Sequence, residues 1–405
     1  MASFIDEILD ATDEQESPKS YIYWGCLSAI SAIVKKNVSI DRYNAGMLYA
    51  NTYVLCIGPP GIKKTLGIEI CEKLVTEVNN TRVIAGRGSI QAIITELAST
   101  KTKEGGGPPP LGASALLSAQ EFCTFLVNDD SALPLLIDLY DPRDVWKNRL
   151  KGTGVETLNN TYLTMLAASN QELLDTVLTS AVAMGGFISR TIVVIEDQPH
   201  NLNALVRPPK KLIDYKSAVK RLREITQLKG IMSFAVGAAS YFEEWYMDFR
   251  QRSLAIDDRH GIGRRMDVQV LKVSMLMSLA ESNDLLLHKR HIQAAIERCM
   301  KHGAEAHRIA QTQGRQPLAA QSAWILEDLA KKPDHQMTRQ QILKKYTRDM
   351  NHLDLDNIIE HLYQANVLTV HSQGRDTVYR MSEIQAEAYL QFLSRRWEVK
   401  KDEIH

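Results

Sequence analysis

Tyr53-Val54-Leu55-Cys56-Ile57-Gly58-Pro59-Pro60-Gly61-Ile62-Lys63-Lys64-Thr65 is the stretch that decides the fold. Five apolar residues in a row, stopped by a Gly/Pro turn, predict a buried strand. Leu66 to Val78 follows, with Ile70, Leu74 and Val78 at the spacing of one helical face. Strand, glycine-rich turn and a helix opening on Lys-Thr are the parts of a Walker A phosphate loop. In such a turn successive backbone N–H groups wrap the phosphates, and the helix N-terminus adds positive potential. Gly58, Pro59, Pro60, Gly61, Ile62, Lys63, Lys64 and Thr65 are therefore the candidate cradle for ATP. Lys64 would reach the β- and γ-phosphates, and Thr65 would hold Mg²⁺ through its hydroxyl. Lys63 departs from the pattern, which has a glycine there. Its side chain either points outward and leaves the cradle intact, or it weakens the cradle.

Outward from this loop, Ala115–Ser118, Tyr162–Ala168 and Thr191–Ile195 read as further buried strands, and Val38–Ile40 as a short one. Tyr21, Trp24, Leu27, Ile30 and Val34 mark a preceding helix, after a polar lead-in over residues 1 to 20. Ser89 N-caps a helix running through Ile93, Ile94 and Leu97. Strands alternating with helices predict an α/β fold: a parallel sheet with helices on both faces. Residues 101 to 113 form a Gly/Pro surface loop. Residues 200 to 210 mark a boundary, 215 to 313 are nearly all helical, and 314 to 317 are a linker.

Hydrolysis needs a carboxylate near the attacking water. The strand Leu116-Leu117-Ser118-Ala119-Gln120-Glu121 ends in one, the Walker B arrangement, so Glu121 is the candidate that polarises water. Gln120 stands where an Asp is usual, which leaves Thr65 and Gln120 as the metal positions, with Ser118 as a helper. The plain alternative is a surface Glu. Asn170 ends the Tyr162–Ala168 strand, at the edge where such sheets bind ligands. It is otherwise a turn residue. Gly186-Phe187-Ile188-Ser189-Arg190 precedes the fourth strand, and Arg190 is a candidate arginine finger for a neighbouring subunit, or a salt-bridged surface residue. Arg264 and Arg265 open an amphipathic helix. One of them would touch the phosphates from a lid; the alternative is solvated charge.

Two regions invite nucleic acid. Trp146-Lys147-Asn148-Arg149-Leu150-Lys151-Gly152-Thr153-Gly154 predicts a β-hairpin with charge near its tip, or an exposed basic loop. Lys147, Arg149 and Lys151 would grip the phosphates of single-stranded DNA. At the C-terminus, helices over Ala323–Ala330, Arg339–Tyr346 (N-capped by Thr338) and onward from an N-cap at Asp354 precede a hairpin turning at Gly374. Three helices and a two-stranded wing make a winged helix. Lys344, Lys345, Arg348, Arg375 and Arg380 suit DNA, whereas Asp354, Asp356 and Glu360 suit a protein partner.

The order of these elements resembles an AAA+ ATPase of the minichromosome-maintenance (MCM) helicase type, in particular the relatives carried by phages and mobile elements. The resemblance covers roughly Tyr21 to Ala310. It implies an N-terminal helical lead-in over 1–45, an AAA+ core over 46–205, a helical lid over 206–315 and a winged-helix domain over 316–405. It implies catalytic Glu121, Asn170 as sensor 1, Arg190 as the trans finger, Arg264 or Arg265 as sensor 2, and a pore hairpin at Lys147–Lys151. The function it implies is an ATP-dependent DNA helicase or translocase, working in replication as a homo-oligomeric, hexameric ring. The alternative is a non-unwinding ATP switch, a helicase loader or replication initiator, that holds DNA or a partner protein through its winged helix. A primase, loader or initiator is the implied protein partner.

Composition sets the remaining bounds. Lys plus Arg and Asp plus Glu number 48 each in 405 residues, so any nucleic-acid surface is local. Cys26, Cys56, Cys71, Cys123 and Cys299 fit no zinc spacing and read as buried thiols of a reducing compartment. With no apolar run near the roughly 20 residues of a membrane helix, no membrane association and a cytoplasmic location are expected.

Overall fold

The computed structural model describes residues 3–86, 88–98, 112–125, 129, 131–150, 154–177, 186–203, 208–254, 258, 260–312, 318–347, 349–373 and 376–395. Helix α1 (Phe4–Ala11) opens the chain inside the expected polar lead-in. Its signal is a capping box. Ser3 Oγ accepts from the Asp6 N–H and the Asp6 carboxylate accepts from the Ser3 N–H. Helix α2 (Lys19–Val34) matches the predicted Tyr21 helix, yet it is buried all round rather than on one face. It packs on the sheet, on the phosphate-loop helix and on two helices from farther along the chain. β1 (Val38–Asp41) and β2 (Met47–Tyr49) form an antiparallel pair.

The first half continues as β3 (Tyr53–Ile57), α3 (Thr65–Val78), β4 (Arg82–Ala85), α4 (Ile90–Ala98), β5 (Ser114–Ala119), α5 (Ala132–Tyr140), β6 (Val145–Leu150), β7 (Gly154–Asn159), β8 (Tyr162–Ser169), α6 (Gln171–Val177) and β9 (Thr191–Ile195). Five of these strands form one all-parallel sheet in the order β4-β5-β8-β3-β9. β3, β5 and β8 are buried at every position, as strands covered on both faces must be, so they read as unbroken apolar runs. The architecture is α/β, a parallel sheet flanked by helices, and is compatible with a P-loop core. β6 and β7 pair as the expected antiparallel hairpin, with Leu150 opposite Gly154.

The third quarter holds α7 (Tyr215–Gln227), β10 (Gly230–Ile231), β11 (Ser233–Phe234), α8 (Ala238–Leu254), α9 (Met266–Glu281), β12 (Leu286–Leu287) and α10 (Lys289–Thr312). It is not purely helical. β10 pairs in parallel with β1, and β11 with β12. Its apolar residues belong to the same core as the sheet, from Phe4 to Ala310.

The C-terminal unit is α11 (Ala319–Lys331), β13 (Gln336–Thr338), α12 (Arg339–Lys345), α13 (His352–Gln364), β14 (Thr369–Gln373), β15 (Asp376–Arg380) and α14 (Glu383–Arg395). Its strands form an antiparallel sheet, β13-β15-β14, over a separate core that includes Ile325, Leu329, Ile342, Leu355 and Tyr379. Thr338 caps α12 through a capping box, as expected. Asn351, not Asp354, caps α13. The Asn351 side chain accepts from the Leu353 and Asp354 N–H groups, and Asp354 returns the bond to the Asn351 N–H. All five cysteines are free and buried. Among the described residues no helix is long and apolar enough to cross a membrane.

Candidate functional site

Strand register assembles the site. Ile57 lies beside Ser169 and Ile195, and Ala119 beside Ala167, so four strands end on one edge. The residues that follow them share that edge: Gly58–Lys64, Gln120, Glu121 and Asn170. This is the carboxyl edge, where open α/β sheets present ligand sites.

The turn is built to close tolerances. The Tyr21 hydroxyl donates to the Ile57 carbonyl at 2.7 Å and lies 3.3 Å from the Glu196 carbonyl. A Cβ on Gly58 would come within 2.6 Å of the Glu196 oxygen and 2.7 Å of the Tyr21 oxygen, so only glycine fits. Gly61 and Lys63 both adopt left-handed backbone, with φ of 89° and 60°. Lys63 thus takes the conformation for which the pattern uses glycine. Its side chain is exposed, the outward-pointing one of the two alternatives. Its carbonyl accepts from the buried Ser17 hydroxyl at 2.9 Å, pinning the N-terminal segment to the loop. The Lys64 ammonium donates to the Gly58 and Pro59 carbonyls at 2.6 and 2.9 Å, bridging the mouth of the turn. Burial holds its pKa below the usual lysine value, against the pull of the nearby Glu121 carboxylate. Thr65 is the first residue of α3.

Asn170 is indeed a turn residue: its Oδ1 accepts from the Leu173 N–H at 2.7 Å at the start of α6. With that oxygen committed, what Asn170 offers a ligand is its amide N–H donors. Ser118 donates to Glu72 of α3 at 2.5 Å, so it is tied to the helix rather than available as a metal helper. Gln120 is exposed beside Glu121. No group of three or more His, Cys, Asp or Glu among the described residues is arranged to hold a metal. A magnesium ion here would rest on Thr65, Gln120 and the oxygens of its own nucleotide, with the Gln120 amide oxygen in place of the carboxylate a phosphate loop uses.

Two cavities open along this edge. One, of about 980 Å³, lies between Thr65, Leu66 and Glu69 on one side and residues 13–17, 201–203 and 208–210 on the other. The two outer segments are laced together: the His200 N–H donates to the Glu16 carbonyl at 2.9 Å, and Lys210 pairs with Glu14 at 2.5 Å. The other, of about 340 Å³, is walled by Gly58–Pro60, Asn170, Arg308 of α10 and Trp324 of the C-terminal unit.

Arg190 is at the opposite edge. It precedes Thr191, which lies beside Tyr53 at the amino end of β3. A five-residue strand, roughly 17 Å, separates it from the Gly58–Lys64 turn of its own chain. Its Nη1 donates to the Gly186 carbonyl at 2.9 Å, and its Nη2 lies 3.8 Å from Asp141. Burial and Arg265 lower its pKa, while Asp141 opposes them. Arg265 is thus within electrostatic reach of Arg190, on the side of the sheet away from the Gly58–Lys64 turn, whereas the sequence reading put Arg264 or Arg265 at the phosphates. Arg264 has an exposed side chain and a backbone held by Asp258 and Arg250. The short turn Gly263–Arg265 leads into α9, which packs against α2 and whose Gln269 side chain donates to the Ser189 carbonyl at 3.0 Å, so both arginines lie toward the Arg190 end of the sheet.

Lys272 of α9, which the sequence reading passed over, is buried in the same neighbourhood. It donates to the Asn51 carbonyl and side-chain oxygen, both at 2.9 Å, and lies 4.0 Å from the Tyr140 ring centroid. Burial pushes its pKa down to about 7. Its sequence signal is a single charge inside the apolar run Val270-Leu271-Lys272-Val273.

The hairpin springs from this opposite edge too: the Ala113 N–H, just before β5, donates to the Asn159 carbonyl at its base. Lys147 is exposed on it. Glu156 holds the hairpin to α4, accepting from Gln91 at 2.6 Å and Thr95 at 2.8 Å. Arg149 is described only in its backbone, and Lys151 lies outside the described residues.

Neither a protein-family model nor a curated protein matches this chain.

Proposed function

We propose that the chain is an AAA+ ATPase of the MCM type, a ring-forming, ATP-driven translocase on single-stranded DNA that serves replication of a phage or mobile element. In this reading residues 206–315 are the lid and 316–405 the winged-helix domain. The observation that carries it is the division of labour across one sheet. The cradle, Glu121 and Asn170 share the carboxyl edge, whereas Arg190 and Arg265 stand at the other, a strand's length from any phosphate their own subunit holds. Cations so placed serve a site on a neighbour.

The chemistry follows from the arrangement. Lys64 leaves the Gly58 and Pro59 carbonyls for the β- and γ-phosphates. Magnesium, when bound, neutralises charge on those oxygens. Glu121 accepts a proton from the water whose oxygen attacks the terminal phosphorus, and the bond to the bridging oxygen breaks, releasing ADP and phosphate. Asn170 amide hydrogens orient the water or the γ-phosphate. The neighbour's Arg190, released from Asp141, stabilises charge in the transition state. Movement at the interface is passed along β8 to the hairpin and Lys147.

A strand-displacement assay with ATP tests this directly. Unwinding of a tailed duplex, and turnover raised by single-stranded DNA, are expected. ATP turnover indifferent to DNA, with no strand separation, counts against the motor. Loss of ATP binding in Lys64→Ala is expected as well, and unchanged binding would refute the assignment of the cradle.

One observation favours the second reading, an ATP switch that recruits a partner. Arg339 pairs with Asp356, and Lys345 pairs with Asp328 at 2.5 Å, so two basic side chains of the C-terminal unit are already neutralised by its own acids. A helicase loader or initiator that docks a protein on this unit fits that balance.

A further inference from the structure

Arg190 and Lys272 share one aromatic ring. At the end of α5, the centroid of the Tyr140 ring lies 5.9 Å from the Arg190 guanidinium carbon and 4.0 Å from the Lys272 Nζ. Both cations line one narrow gap with Thr52, Tyr53, Ile192 and Gln269. Gln269 is one turn before Lys272 on α9, and its side chain donates to the Ser189 carbonyl at 3.0 Å, which ties the helix to the residue preceding Arg190. Arg190 itself is incompletely held. Nη1 reaches the Gly186 carbonyl, Asp141 stands 3.8 Å from Nη2, and the buried Nε has no hydrogen-bond partner among the described residues.

Charge around Lys272 is unbalanced. Arg190, Arg265 and Arg42, the last between β1 and β2, act on it as cations, and Asp141 is the carboxylate that opposes them. Tyr53 of β3, Tyr162 of β8 and Cys299 of α10 adjoin Tyr140, and burial raises the pKa of all four, so they stay neutral. Other titratable groups on the surrounding helices have partners elsewhere: Asp267 pairs with Arg250, His291 with Glu281, His302 with Glu305, and Lys19 of α2 with Asp13. The Lys272 amine fits its place in either charge state. Two N–H donors go to the Asn51 carbonyl and side-chain oxygen, bonds that a neutral amine keeps. The third hydrogen belongs to the charged form, which the Tyr140 ring favours. With its pKa pushed down by burial to about 7, both forms occur near neutral pH. The ammonium repels the Arg190 guanidinium across poorly screened interior, whereas the neutral amine leaves Tyr140 and Asp141 to Arg190.

We propose that Lys272 is the positioning residue of the finger: its ammonium drives Arg190 off Tyr140 and Asp141 toward the neighbour's nucleotide, and its neutral amine lets Arg190 fold back. This rests on the finger role proposed above for Arg190. It adds a control that acts at the arginine and not at the cradle, so that hydrolysis at each interface falls as pH rises through neutrality while nucleotide binding does not.

The test is steady-state ATP turnover of the full chain from pH 6 to 8.5 as wild type, Lys272→Met, Lys272→Arg, Asp141→Asn and Arg190→Ala, with ADP affinity as the check on folding. The wild type is expected to exceed Lys272→Met about fivefold in kcat at the acid end, the order of one charge pair several ångströms apart inside a protein. The two should converge at the alkaline end, with KM for ATP the same in both. Lys272→Arg, charged throughout, should keep the high kcat at pH 8.5. Asp141→Asn should move the midpoint of the fall to lower pH, because the Asp141 charge supports that of Lys272. The Asp141 side chain is 60% exposed, so this variant reads the effect even where a Lys272 variant does not fold. A ratio of wild type to Lys272→Met that is constant with pH overturns the role of Lys272. So does an unmoved midpoint in Asp141→Asn, or a Lys272→Arg that binds ADP yet loses kcat at pH 8.5. If Arg190→Ala turns over ATP as fast as the wild type, the finger reading itself fails and takes this proposal with it; an inactive Arg190→Ala beside a constant ratio removes the positioning role alone.

Discussion

At Lys63 an L-residue occupies backbone that glycine adopts freely. A left-handed conformation costs such a residue about 1–2 kcal/mol, and glycine recovers part of that while losing more freedom on folding. Because the Lys63 side chain is exposed, Lys63→Gly should stabilise by about 1 kcal/mol, a rise of roughly 2 °C in melting temperature by calorimetry. A fall instead would mean that the lysine side chain holds the turn. Lys272 poses a different problem, a buried amine with a pKa pushed down to about 7 from an ordinary 10.5. Between those values the unfolded chain binds a proton that the folded chain does not. Stability then rises with pH across that window, by up to about 1.4 kcal/mol per unit. Below pH 7 both states are protonated and the slope vanishes. Melting of wild type and Lys272→Met from pH 7 to 9.5 checks this: the wild type should climb relative to the variant. The Asn51 oxygens that the variant leaves unpaired add a cost, but one independent of pH. Parallel curves would show that Lys272 titrates normally.

At the scale of elements, the crossing of α2 and α3 fixes the phosphate loop. Gly25 and Gly67 meet there: a Cβ on Gly67 would lie 2.3 Å from the Tyr21 carbonyl oxygen, and one on Gly25 2.3 Å from the Gly67 oxygen. Alanine is the better helix former by about 1 kcal/mol, yet overpacking against backbone typically costs about 1–3. Gly67→Ala should thus destabilise on balance. It should also weaken nucleotide binding although residue 67 need not touch the ligand, because Tyr21 shifts and its hydroxyl positions Ile57 and Gly58. Melting together with ADP affinity checks both, and normal affinity in a destabilised variant would sever the link. The same elements show what sequence discloses. β3 and β9 begin and end where their apolar runs do, and α3 begins one residue before its reading, because burial on both faces and Gly/Pro punctuation leave local marks. The Ser3 capping box was also legible, but a polar composition hid the short helix behind it. β10, β11 and β12 were not legible: two-residue strands are made by distant partners and carry no period. The cradle, Glu121 and Asn170 follow strands and so were found at one edge. Arg265 was misplaced because α9 packs against α2, more than two hundred residues away, and against Ser189, eighty residues away.

Over the whole molecule, one sheet holds two half-sites facing opposite ways. In the proposed reading the Gly58–Thr65 turn is out of reach of its own Arg190, and Arg190 is out of reach of its own turn, so each half would be completed by a second copy. Arg190→Ala should bind ATP normally but hydrolyse it about a thousandfold more slowly, the usual cost of losing such a finger. Lys64→Ala should fail at binding while keeping a sound Arg190. Mixed in equal amounts under conditions of assembly, the two silent proteins form some interfaces in which an intact cradle of the first meets an intact arginine of the second. With random mixing about a quarter of the interfaces are of this kind, so turnover should return to roughly a quarter of wild type. Recovery should depend on total protein concentration, because it requires subunits to meet. A mixture as inactive as its components would place Arg190 within its own subunit's chemistry or outside catalysis, and the two edges of the sheet would then have no common task.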